Sequence, residues 1–202
     1  MNQSITPYHH GDLHNCAIIA AAELIESIGS YDITIAQVAK RVGVSAPALY
    51  RHFAHKDALL TAVRELTHLG IMDYITRAQA DVEQGTLAHL DALGSAYLRY
   101  ATDKKAFFGL MWEDHGDTES RRAEARAKRT GFQVLHEAID LYLKRHKPES
   151  AGDSLKTATL MWSTAHGIAT LQHNRMLDTF DEDADADTLL RTATRAILQA
   201  KD

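Results

Sequence analysis

The segment from Ile33 to Phe53, Ile-Thr-Ile-Ala-Gln-Val-Ala-Lys-Arg-Val-Gly-Val-Ser-Ala-Pro-Ala-Leu-Tyr-Arg-His-Phe, is compatible with few backbones. Thr34 and Gln37 make a Thr-x-x-Gln pattern in which each side chain satisfies a backbone donor left unpaired at a helix start. The helix they open carries Ile35, Val38, Ala39 and Val42, and stops at Gly43, which enters left-handed backbone without a steric penalty. Ser45 then reads as the N-cap of another helix, with Pro47 in the first turn, where a missing N–H costs nothing. Two short helices joined by so tight a turn must cross steeply, and Ala39 supplies the small residue at the crossing. Val38, Val42, Val44 and Leu49 fill the space beneath. The start of the second helix is left facing outward, as insertion into a major groove requires.

Helical periodicity extends on both sides of this unit. A first helix is expected from about Asp12 to Ser27, using Leu13, Ala17, Ala20, Ala21, Leu24 and Ile28 and ending at Gly29 and Ser30. The helix after Gly43 spans Ala46 to about His52, and a fourth opens near His55 and runs through Leu69. Longer patterns follow at Leu87–Thr102, Lys104–Asp114, Thr118–Arg145, Ser154–Met176 and Ala184–Ala200. Only 3 prolines interrupt 202 residues, and an interior proline costs a helix about 3 kcal/mol. The fold class is all-α: an N-terminal helix-turn-helix domain over residues 1–66, including an arm at 1–11, and a helical domain over 67–202.

The net charge of −5 argues against a nucleic-acid partner until its distribution is considered. From Val38 to His55 the charged residues are Lys40, Arg41 and Arg51, followed by Lys56, with no acid among them. Acids gather instead at Asp181, Glu182, Asp183, Asp185 and Asp187, at the N-terminal end of the last helix, where the helix dipole favours them. A single cysteine, Cys16, cannot form an internal disulfide and reads as a small core residue. The N-terminal residues lack a signal peptide's pattern and no run of 18 apolar residues occurs. A cytoplasmic protein without a membrane partner is expected.

The central unit, which ends in Leu49-Tyr-x-His-Phe, is flanked by two further stretches, Tyr8-His-His-Gly-Asp-Leu and Lys56-Asp-Ala-Leu-Leu. Together, over about residues 8–66, they resemble the DNA-binding region of the TetR family of bacterial transcriptional regulators. Farther along, Trp162-Ser-Thr-Ala-His-Gly resembles a Trp–His–Gly segment of one C-terminal subgroup. The resemblance implies a double-stranded operator, a homodimer and a small-molecule effector. It implies that Ser45, Ala46, Pro47 and Ala48 face base edges, that Tyr50 and His52 touch phosphate, and that Lys56 pins a phosphate from the start of the fourth helix. Thr34 can donate to phosphate, and Lys40 and Arg41 can reach the backbone. No Arg, Asn or Gln stands between Ser45 and Leu49 to make a bidentate base contact. Thymine-methyl contacts and DNA shape would then carry sequence preference.

The same resemblance assigns the second half to effector binding and to a dimer interface built from the last two long helices. Leu155, Ala158, Thr159, Trp162, Ala165, His166 and Ala169 recur on one face of the first of these. Tyr97, Phe107, Phe108, Met111, Trp112, Phe132, Leu135, Trp162 and His166 are candidate pocket residues, suggesting a hydrophobic or aromatic effector. Twelve histidines invite a metal reading, with His115 beside Glu113, Asp114 and Asp117, and with His166 and His173 two turns apart. No three- or four-ligand spacing supports it. No metal, cofactor or enzymatic activity is expected, since neither a phosphate loop nor a nucleophile elbow is present. A helical interaction protein whose helix-turn-helix no longer binds DNA is the alternative.

Overall fold

A computed structural model describes residues 12–112, 130–180 and 182–199 of the chain. Among them there is no strand. The helices are α1 (Leu13–Ile28), α2 (Ile35–Val42), α3 (Ala46–Tyr50), α4 (Lys56–Gln79), α5 (Leu87–Asp103), α6 (Lys105–Trp112), α7 (Gly131–His146), α8 (Ser154–His173), α9 (Leu177–Phe180) and α10 (Ala186–Gln199).

Local chemistry sets the boundaries. Gly29 and Gly43 end α1 and α2 in left-handed backbone at φ 73° and 81°, each returning its N–H to a carbonyl of the last turn. Thr34 and Gln37 make both bonds of the expected capping box. Ser45 occupies the N-cap position of α3 but makes no cap bond, and α3 ends at Tyr50, two residues before the expected His52. In α1 it is Ile25 that is buried, while Ile28 stays half exposed, and Cys16 is only partly buried. The α4 helix continues ten residues past Leu69. A single helix over Thr118–Arg145 is not formed: Thr130 is extended and caps a new helix with Gln133 as its box partner. Residues 113–129, including His115 and its acidic neighbours, lie outside the described residues, as does the arm at 1–11. α8 stops at His173, three residues short of Met176, and Arg175 follows with φ 57°. At the last helix Asp185 accepts the Thr188 N–H at 2.8 Å, and its carboxyl is held below the usual range by hydrogen bonds from Thr188.

Buried residues fall into two clusters. The first joins α1, α2 and α3 to the first half of α4 through Ala17, Ile25, Val38, Leu49, Leu59 and Val63. The second surrounds α5, which packs against α4, α7, α8 and α10. α4 belongs to both, with Leu59, Leu60 and Val63 in the first and Ile71 and Ile75 in the second. Tyr100 of α5 locks the far half of α4 by donating to the Thr67 carbonyl at 3.1 Å. α6 crosses the division: its fully buried Leu110 belongs to the first core, while Phe108 and Met111 belong to the second.

Candidate functional site

Two surfaces collect the candidate residues. On the first, α2 and α3 cross as expected and present a short outward helix. Ser45, Pro47, Arg51 and His52 are exposed, and Tyr50 is 54% exposed. Ala46 and Ala48 are half buried, with Ala46 packed on the core, so Pro47 is the exposed apolar side chain at this helix start.

The cations are held differently from one another. Lys40 makes no ion pair among the described residues. Arg41 is turned back onto α1, where its Nε and Nη2 both donate to Glu23 Oε2 at 3.1 and 3.0 Å. Lys56 pairs with Asp32 at 3.0 Å. Thr34 donates its hydroxyl hydrogen to Gln37 at 2.9 Å, so the phosphate donor expected there is already engaged.

Two further residues were not assigned a DNA contact from the sequence. Arg51 stands exposed at the end of α3. His55 caps α4, its Nδ1 accepting the Ala58 N–H at 3.2 Å. That bond places the imidazole hydrogen on Nε2, on an exposed side chain at a helix N-terminus. The position immediately before Lys56, at a helix start, was the available signal.

The second surface is an aromatic cluster between α5, α6, α7 and α8. Trp162 and His166, one turn apart on α8, are parallel within 3° at a centroid distance of 5.3 Å. Trp112 lies edge-on to both, 5.5 Å from Trp162 and 4.7 Å from His166. Phe132 meets Trp162 at 90°, and Phe108 meets Tyr97 at 77°. The Tyr97 hydroxyl lies 2.9 Å from His166 Nδ1. Six of the sequence candidates therefore share one site. Met111 is buried in the same core, and Phe107 packs against both cores. His173, 5.7 Å from Phe108, joins the cluster and was missed as a pocket residue, although its two-turn spacing from His166 was the signal.

Burial pushes the Tyr97 hydroxyl well above its ordinary pKa, an effect countered in part by the Trp112 N–H. Burial also lowers His166, which favours the neutral ring. An open groove of about 510 Å³ lies elsewhere, between α5 and the start of α10. It is lined by Ser95, Arg99, Gln172 and Asp187 among others and by none of the clustered rings.

The face of α8 expected to be a dimer interface is divided by the structure. Ala158, Ala165 and Ala169 are buried inside the chain, and Trp162 and His166 turn toward the aromatic cluster. The outward face consists of Leu155, Thr159, Leu160, Ser163, Gly167 and Leu171. The sequence pattern shows which positions share a face but not whether an internal or an external partner covers it.

Comparison with known proteins agrees with this arrangement. Residues 18–63 match the family described as bacterial regulatory proteins, tetR family, and residues 90–197 match the tetracyclin repressor-like C-terminal domain. The nucleoid occlusion factor SlmA of Aliivibrio fischeri is 32% identical over 127 residues, a match spanning 62% of this chain and 62% of that protein, less than two thirds of either. A structure of a protein with unknown function from Rhodococcus sp. RHA1 superposes with a TM-score of 0.70 at 26% identity, covering 96% of this chain and 97% of the other. A TetR-like transcriptional regulator from the same organism shares the fold, with a TM-score of 0.66 at 14% identity over 96% of this chain and all 100% of that one. With a C-terminal family match across more than half its length and a helix-turn-helix match ahead of it, the chain belongs to the TetR family of DNA-binding regulators.

Proposed function

We propose that the protein is a dimeric, ligand-responsive repressor that leaves a near-palindromic operator when a small molecule binds at the aromatic cluster. The observation that carries this reading is the position of α6. Within eight residues it supplies Phe108, Met111 and Trp112 to the cluster side and Leu110 to the core of the helix-turn-helix domain. Gly109 sits between them; a Cβ there would meet the Tyr31 ring at 3.2 Å and His173 Nε2 at 3.9 Å. A ligand that displaces α6 must therefore displace its neighbour in the DNA-binding domain, because a packed core transmits shifts rather than absorbing them. A coupling of about 1–3 kcal/mol is enough for a 5- to 150-fold change in operator affinity.

On DNA, residues 1–66 form the reading domain. Ser45, Pro47 and the half-buried Ala46 and Ala48 face base edges, while Tyr50, His52, Lys40, Arg51, Lys56 and the Nε2–H of His55 face phosphates. Arg41 and Thr34 reach the backbone only by leaving Glu23 and Gln37. Residues 67–202 hold the effector site and the dimer interface. Leu160, Ser163, Gly167 and Leu171 of α8, with Leu189, Thr192 and Ala196 of α10, form outward faces of small and apolar residues. Two copies of these faces would make a four-helix contact and set the recognition helices roughly 34–36 Å apart.

The test is duplex binding measured as a function of salt. Phosphate contacts release counterions, so affinity should fall steeply and linearly on logarithmic axes. Binding that is flat with salt would favour the reading in which the helix-turn-helix has lost its DNA function.

A further inference from the structure

The aromatic cluster contains a hydrogen bond whose direction can be worked out. The Tyr97 hydroxyl is buried, and its one hydrogen needs an acceptor, since an unpaired buried donor costs about 1–3 kcal/mol. Among the described residues the partner it meets is His166 Nδ1, at 2.9 Å. Were Nδ1 instead the donor, the tyrosine hydrogen would have no acceptor among the described residues. The Trp112 indole acts on the same phenol, partly countering the effect of its burial. The Tyr97 hydroxyl therefore donates to His166.

Its consequence appears at the far side of the imidazole. With Nδ1 accepting, the ring hydrogen is on Nε2, which makes no hydrogen bond among the described residues and is not among the fully buried unpaired atoms. Neutrality of the ring is maintained by burial, and no charged side chain among the described residues shifts either His166 or Tyr97. The surrounding surfaces are flat: the parallel Trp162 and His166 rings, with Trp112 and Phe132 set edge-on. Behind Phe108, the His173 ring has its Nδ1 fully buried without a hydrogen-bond partner.

From this geometry, and resting on the reading of the cluster as the effector site, we infer that the effector is a planar apolar molecule with an acceptor oxygen that receives the His166 Nε2–H. Such a site discriminates against donor-only cations. An ammonium group would bring hydrogens to a hydrogen, and no carboxylate among the described residues acts on the ring to compensate it. A hydrocarbon of the same shape would leave the imidazole N–H unmatched once water is displaced. Ligand sites of this kind combine a mostly apolar lining with a few polar groups that fix orientation.

Three probes of one shape test the inference on the intact protein: indanone, which carries an acceptor oxygen, indane, which has none, and aminoindane, an ammonium at neutral pH. Trp112 and Trp162 are the chain's 2 tryptophans, so their emission reports the site, with calorimetry as a second readout. Indanone should bind about tenfold more tightly than either of the others, within the range of one net hydrogen bond. His166→Phe should remove that preference. Independently of any variant, nitrogen NMR of the unsubstituted protein should show His166 with its hydrogen on Nε2. Equal binding of the three probes, tightest binding of aminoindane, absence of indanone binding, or a hydrogen on Nδ1 would each overturn the inference. Failure of the repressor reading looks different: indanone would bind with the expected preference but leave operator DNA bound.

Discussion

Arg64 donates from Nε to the Leu110 carbonyl at 3.0 Å, joining α4 to α6 at the seam between the two cores. A charged donor therefore fixes the position of the helix that enters both cores. Arg64→Ala should lower stability by about 1–3 kcal/mol, measured by chemical denaturation. An unchanged midpoint would mean that water replaces the guanidinium without loss.

Leu110 is 0% exposed and lies in the helix-turn-helix core. Leu110→Ala should cost about 2–5 kcal/mol. It should also weaken operator binding at temperatures where the variant remains folded, even though the residue lies some 60 positions beyond the recognition helix. Full DNA affinity in the folded variant would show that α6 does not hold the reading domain in place.

Lys56 is paired with Asp32, whose side chain is 91% exposed. Exposed pairs are worth about 0–1 kcal/mol, so a phosphate can take the lysine at little expense. Lys56→Ala should weaken binding to every duplex and reduce the salt slope by about one contact. Asp32→Asn should do the reverse, raising affinity by up to about fivefold at low salt. If Asp32→Asn weakens binding, the acid positions the lysine rather than competing for it.

His166 and His89 both have pKa values lowered from 6.5, in each case by burial. A group that binds its proton less well folded than unfolded favours unfolding as protons become available. Their contribution is thus fully present above about pH 6.5 and lost as the pH falls from there through the lowered folded values. Thermal unfolding should show a midpoint that drops between pH 7 and 5. The drop should be smaller in His89→Gln, where the ring that meets Gln79 at 3.1 Å is gone. An identical pH profile in that variant would remove His89 from the explanation.

Gly167 faces open space on the outer side of α8. Replacing it with Glu should improve helix propensity by several tenths of a kcal/mol, so the protomer should stay folded. The charge would then lie in the proposed four-helix contact, and sedimentation should show monomers with weakened operator binding. A Gly167→Glu protein that remains dimeric would place the interface elsewhere.

Much of the reading domain was legible because its constraints are local. The Thr34–Gln37 box and the left-handed Gly43 act within a few residues, and both formed as the sequence suggested. Ser45 shows the limit, since it holds the cap position without making the bond. The aromatic cluster was legible as a set of residue types, but the Tyr97–His166 bond joins residues 69 positions apart, and no local pattern encodes it. The same limit applies to Arg41 and Lys56. Both were evident as cations in an acid-free stretch, but the acids that hold them, Glu23 and Asp32, come from outside that stretch. On α8, alanine spacing revealed a close-packed face, while the side left facing outward depended on how α5 and α10 pack.

The most direct test is selection of bound duplexes from a random DNA library by the purified protein at moderate salt. A dimeric operator-binding regulator should enrich a near-palindrome whose half-sites are separated by about one helical turn or a small multiple of it. No enrichment from a folded, ligand-stripped dimer would contradict the proposal that this helix-turn-helix reads an operator.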